Sequence, residues 1–138
     1  MAVVLVAEDD QDIAVIVTRL LSRAGHTVVH RPDGMAAFEQ AVADRPDVLL
    51  TDLGMPRMDG IELTRAVRAH PDLADIPIVM LSGHLHPGDN HPVEAGCCAV
   101  LLKPCPNDQL REVVQELVDR GPHAHSGTSC LAHHPVSA

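Results

Sequence analysis

Aromatic residues are almost missing from this chain: it has no Trp, no Tyr and a single Phe, Phe38. A protein this poor in aromatic side chains lacks the stacking platforms that bind single-stranded nucleic acid. Positive charge is scarce too, with ten Lys and Arg against nineteen Asp and Glu and a formal net charge of −9. Such a surface repels phosphate backbones and anionic lipid, so neither nucleic acid nor membrane is expected as a partner. Long apolar runs are absent, and no stretch reaches the roughly 18 to 20 residues of a membrane span. The chain enters its first apolar run at once, without a basic start or a signal-type cleavage pattern, and a cytoplasmic location is expected. The four Cys make no disulfide framework, because Cys97 and Cys98 are adjacent, Cys105 is near them and Cys130 lies in the tail.

What the chain does have is a set of short aliphatic runs, each ending in polar residues. The runs are Val3–Ala7, Asp47–Thr51, Ile76–Leu81 and Ala99–Leu102, followed by Glu8 and Asp9, Asp52, Ser82 and Lys103. Runs this short and this apolar suit strands buried on both faces of a parallel sheet. In a parallel arrangement all five polar residues gather outside the carboxyl ends, where open α/β sheets hold their ligands.

Helical patterns alternate with the runs. Asp10-Gln11-Asp12 supplies capping chemistry, and Ile13, Ile16, Val17, Leu20 and Ala24 follow at helical spacing up to Gly25. A second strand is expected over His26–His30, then a helix over Met35–Ala43 that turns Phe38, Ala41 and Val42 inward. A further helix is expected over Ile61–Ala69, stopping at His70-Pro71. Leu110, Val113, Val114, Leu117 and Val118 mark the last one, which Gly121-Pro122 ends. Between Ser82 and the fifth strand, Pro87, Gly88 and Pro92 leave room only for a weak helix within Asp89–Ala95. Five βα units predict a doubly wound five-stranded parallel sheet over residues 1–120. Residues 121–138 are Gly-, Pro-, Ser-, Ala- and His-rich without periodicity and are expected to be a disordered tail.

Glu8, Asp9 and Asp52 brought together make a strongly negative pocket that a hard cation relieves. Mg²⁺ takes about six oxygens and tends to keep several waters, which suits two or three carboxylates and a carbonyl. With a hydroxyl and an ammonium beside them, the same groups can stabilise the oxygens of a phosphoryl group arriving in line on a carboxylate.

Four motifs now stand in order: Val-Ala-Glu-Asp-Asp at 6–10, Pro-Asp-Val-Leu-Leu-Thr-Asp-Leu-Gly-Met-Pro-Arg-Met-Asp-Gly at 46–60, Ile-Pro-Ile-Val-Met-Leu-Ser at 76–82 and Leu-Lys-Pro at 102–104. On these the chain resembles the response regulator receiver domain, the CheY-like phosphoacceptor of two-component signalling. The resemblance runs from residue 2 to about residue 120. It implies a flavodoxin-like (βα)5 fold with strand order 2-1-3-4-5. Asp52 would be the phosphoacceptor. Asp9 would ligate Mg²⁺ directly and Glu8 through water, with Asp52 and the Gly54 carbonyl completing the protein ligands. Ser82 and Lys103 would each meet a phosphoryl oxygen, and a cis Lys103–Pro104 peptide is expected. The donor would be a histidine kinase or histidine phosphotransfer protein. The signal would leave through an unknown downstream protein, because only about 18 residues follow the last helix, or the domain would act as a phosphate relay.

The chain departs from the family pattern in places. Where receivers commonly carry a switching Tyr or Phe, three residues before the lysine, this chain has Val100, which is stiff and has no hydroxyl. Together with the eroded segment 83–96, this puts in doubt the family's commonest output surface. His84, two residues after Ser82, and Gly54, two after Asp52, occupy positions that influence aspartyl-phosphate hydrolysis in the family. His84, His86 and His91, with His123, His125, His133 and His134 in the tail, have spacings that can bind Zn²⁺, Ni²⁺ or Cu²⁺, but flexible His often does so to no purpose. Cys97, Cys98 and Cys105 read as inert thiols more readily than as redox sensors. A haloacid-dehalogenase-type phosphohydrolase is a competing reading, but it needs a second Asp where Gly54 stands. A phosphorylation-independent interaction module is the other alternative.

Overall fold

The structure is a computed structural model that describes residues 2–55, 58–82, 98–102 and 107–121, with the backbone alone at Ser82, Leu102 and Asn107. Five strands form one sheet: β1 (Val3–Ala7), β2 (Thr27–Arg31), β3 (Val48–Asp52), β4 (Ile78–Ser82) and β5 (Ala99–Leu102). The order is β2-β1-β3-β4-β5, and every pairing is parallel. The described helices are α1 (Gln11–Arg23), α2 (Gly34–Ala43), α3 (Gly60–Ala69) and α4 (Asn107–Arg120). The expected doubly wound sheet and its strand order are therefore present. Lys103, Pro104 and their peptide bond, His84, Cys97, Cys105, the weak helix within Asp89–Ala95 and the tail beyond Gly121 lie outside the described residues.

The alternation of side chains along each strand splits the core into two layers. Val4, Val6, Val48, Leu50, Val79, Leu81 and Leu101 pack under Val17 and Leu21 of α1 and Val113, Val114 and Leu117 of α4. On the other face Leu5, Ala7, Leu49, Ile78, Met80 and Val100 meet Ala37 and Ala41 of α2 and Leu63 and Val67 of α3. A sheet covered on both faces has no solvent side, which is why β1 and β3 read as continuous apolar runs.

Two inward assignments are corrected. Ile16 is 56% exposed and Val42 48% exposed, while Ala14, Val17 and Leu21 make the buried stripe of α1. Residues 13 to 17 are all apolar, so α1 offers two candidate stripes. The packing against β1 and α4 selects the one centred on Val17 and Leu21. The second strand also lies one residue later than expected, at Thr27–Arg31, because the chain spends Gly25, at φ 96°, and His26 in turning out of α1.

Candidate functional site

The site grows out of the ends of β1 and β3, the two central strands. β1 stops at Ala7, and only Glu8 and Asp9 separate it from Asp10, the N-cap of α1. The Asp10 carboxylate accepts from the N–H of Asp12 at 2.9 Å and of Ile13 at 3.2 Å. This satisfies orphan donors at the helix start and fixes where the chain turns. Glu8 Oε1 accepts from the Asp10 N–H at 3.1 Å, its backbone N–H donates to Arg31 O at 3.1 Å, and His30 Nε2 lies 2.7 Å from its carbonyl oxygen. Glu8 is buried, with the residue 2% exposed.

Asp52 closes β3 beside Leu81 of β4 and is 8% exposed. Its Oδ1 accepts from the Leu53 N–H at 3.0 Å, and the same N–H reaches Leu81 O at 2.9 Å. Thr51 Oγ1 donates to Asp52 O at 2.9 Å. The loop that follows returns at once, since the Gly60 N–H donates to Leu53 O at 2.7 Å, and α3 starts directly against the strand end. Its start is set by a capping box in which Glu62 N–H donates to Asp59 Oδ1 at 2.8 Å and Asp59 N–H to Glu62 Oε1 at 3.3 Å.

Glu8, Asp9 and Asp52 thus arrive from two strands with one carboxylate oxygen each inside a common span of 4.8 Å. Glu8 and Asp52 are buried and Asp9 is exposed. Two like charges at that separation repel by about 3 kcal/mol at an effective dielectric of about 20. A divalent cation accepting an oxygen from each turns that repulsion into attraction, and an all-oxygen donor set suits Mg²⁺. The residues present therefore fit that ion.

The other expected site positions differ in how much is visible. Gly54 is exposed in the loop directly after Asp52. The Ser82 backbone ends β4 opposite Leu102, the last residue of β5, and Lys103 follows Leu102 in the chain. Val100 is 2% exposed and packed in the core layer of α2 and α3. Cys98 is fully buried, with Arg68 Nη2 at 3.9 Å and the Ile78 N–H at 3.4 Å from its sulfur. His30 was not among the expected site residues. Alternation along β2 marks it only as a strand residue, and its bond to Glu8 depends on the β1–β2 register.

Comparison with known proteins agrees with this geometry. The response regulator receiver domain model matches residues 4–115, and the chain belongs to that family. Response regulator receiver protein CpdR of Brucella abortus is 38% identical over 119 residues, which are 83% of this chain and 92% of CpdR. Response regulator MprA of Mycobacterium ulcerans is 35% identical over 118 residues, 85% of this chain, and the chain spans about half (50%) of MprA's length. Among solved structures, Vibrio cholerae chemotaxis response regulator CheY4 superposes with a TM-score of 0.80 at 32% identity, over 85% of this chain and 98% of CheY4. The receiver domain of sensor histidine kinase PA1611 from Pseudomonas aeruginosa gives a TM-score of 0.80 at 28% identity, over 86% of this chain and 98% of that domain, and has a magnesium ion coordinated in its active-site cleft. Receiver domains are phosphoacceptor signalling domains of two-component systems, not classical enzymes, and they bind Mg²⁺ at an acidic site. Membership of the family sets aside the phosphohydrolase reading. No helix among the described residues is long and apolar enough to cross a membrane.

Proposed function

We propose that this receiver accepts a phosphoryl group on Asp52 from the phosphohistidine of a histidine kinase or phosphotransfer protein, and that the modified domain switches the binding of a downstream protein or passes the phosphoryl group on. An Asp52 carboxylate oxygen forms the new O–P bond as the donor's P–N bond breaks, and the donor imidazole recovers a proton from solvent. The observation that carries the reading is the convergence of Glu8, Asp9 and Asp52 within 4.8 Å at the carboxyl edge of the sheet. Glu8, Asp9 and Asp52 are the side chains that would hold Mg²⁺, with the Gly54 carbonyl beside them. The chemistry it would supply is neutralisation of the negative charge that crowds around the acceptor. Ser82 and Lys103, which end β4 and follow β5, are assigned to the phosphoryl oxygens. His84 is assigned to modulating hydrolysis.

A stand-alone mode of action is part of the proposal and draws its support from the likeness to CpdR. The second reading, an interaction module that works without phosphorylation, draws on the burial of Val100 where a mobile ring would otherwise report the site. Borohydride reduction of protein treated with acetyl phosphate, followed by peptide mapping, tests the assignment. Homoserine at position 52 is the expected result. Reduction at another carboxylate overturns the choice of Asp52, and no reduced residue at all favours the second reading.

A further inference from the structure

His30 lies on β2, directly across from Val6 in the β1–β2 register, and reaches past the strand end to the carbonyl of Glu8 at 2.7 Å. A carbonyl oxygen only accepts, so Nε2 carries the hydrogen of this bond. The backbone pairing of the two strands ends with Ala7 and Arg31 and the bond from the Glu8 N–H to Arg31 O, which leaves the Glu8 carbonyl beyond the ladder as Pro32-Asp33 turns the chain toward α2. The imidazole thus adds a side-chain tie to the carboxyl end of β1, just where the site begins.

We infer that His30 is a positioning residue for the acidic site, holding the Glu8–Asp9 peptide in the orientation that presents both carboxylates to the cation. The inference rests on the Mg²⁺ reading of that site. A peptide unit is planar, so the carbonyl of Glu8 and the Cα of Asp9 move as one body. Pinning Glu8 O therefore sets the direction in which Asp9 leaves the backbone. Asp9 needs this more than its neighbours do. Glu8 and Asp52 are held by burial and by backbone N–H donors, whereas Asp9 is exposed and sits between a strand end and a helix cap. The ring itself is half-buried and borders an open groove of about 450 Å³ with Gln11, Ala14, Val15, Thr18 and Arg19. Replacing it disturbs no sealed core layer, which separates a positioning role from a packing role.

The test is Mg²⁺ titration of the metal-free full chain by calorimetry, for wild type, Asp9→Asn, His30→Leu and His30→Gln, with a melting curve of each metal-free protein. Leucine keeps bulk and removes the donor, while glutamine keeps an N–H donor near the same reach. The expected result is that His30→Leu binds Mg²⁺ about tenfold more weakly and His30→Gln within about twofold of wild type, in the range found for partners that orient metal ligands. The metal-free melting curves should nearly coincide. Wild-type affinity in His30→Leu overturns the inference, and so does equal weakening in His30→Leu and His30→Gln, which would assign the effect to the ring's shape. Absence of Mg²⁺ binding in wild type, or unchanged binding in Asp9→Asn, refutes the acidic-site reading itself and this inference with it.

Discussion

Replacing Gly60 by alanine should cost this domain about 2 kcal/mol, and the structure says where the cost arises. Gly60 is the first residue of α3, packed against the end of the strand that carries Asp52. A β-carbon at Gly60 would fall well inside contact distance of the Asp52 carbonyl oxygen, 3.0 Å from Leu53 Cα and 3.1 Å from the Asp52 carbonyl carbon. All three are backbone atoms that cannot rotate away, so the start of α3 must move. Overpacking of this kind costs about 1 to 3 kcal/mol. Stretching the 2.7 Å bond from the Gly60 N–H to Leu53 O adds up to about 1 kcal/mol. The better helix propensity of alanine returns somewhat less than 1 kcal/mol at a first-turn position. A loss of about 2 kcal/mol lowers the melting midpoint by roughly 8 °C for a domain of this size. Gly54→Ala is the matched control, because a β-carbon there meets nothing within 4 Å among the described residues. Scanning calorimetry is the suitable assay, since the chain has no Trp to report unfolding by fluorescence. Equal midpoints for Gly60→Ala and Gly54→Ala would refute the argument that α3 is seated on the Asp52 backbone.

Three further outcomes follow from the same structure. His26 is 7% exposed and neither ring nitrogen has a hydrogen-bond partner among the described residues, so His26→Leu should stabilise by about 1 kcal/mol, and a lowered denaturant midpoint would contradict this. Asp59→Ala removes one arm of the α3 capping box and should cost about 1 kcal/mol, measured by urea unfolding, with no loss meaning that tertiary packing alone holds the helix start. Mg²⁺ at about 100 times its Kd should stabilise the wild type by about 2.7 kcal/mol, and Asp9→Asn should lose most of that gain; an equal rise of the melting midpoint in both proteins would place the ion elsewhere.

Much of the architecture was legible because the sheet is parallel and covered on both faces. Buried strands of this kind appear as unbroken Val, Ile and Leu runs, and their carboxyl ends can be read off without knowing the register. The convergence of Glu8, Asp9 and Asp52 followed from that alone. The helix faces were less legible. Residues 13 to 17 of α1 are apolar all round, and only contact with Val4, Val6 and α4 decides that Val17 and Leu21 turn inward and Ile16 outward. The roles of His30 and Gly60 depend on register and on close backbone approach, which composition and periodicity do not encode. Gly60 reads equally well as an ordinary loop glycine.

The central claim is that Asp52 accepts a phosphoryl group with the help of the acidic cluster around it. Intact mass after incubation with acetyl phosphate, with and without Mg²⁺, tests it most directly in wild type and in Asp52→Asn. The account predicts one phosphoryl adduct in the wild type that needs Mg²⁺ and disappears in Asp52→Asn. An adduct that persists in Asp52→Asn, or none in a wild type that binds Mg²⁺, would contradict it.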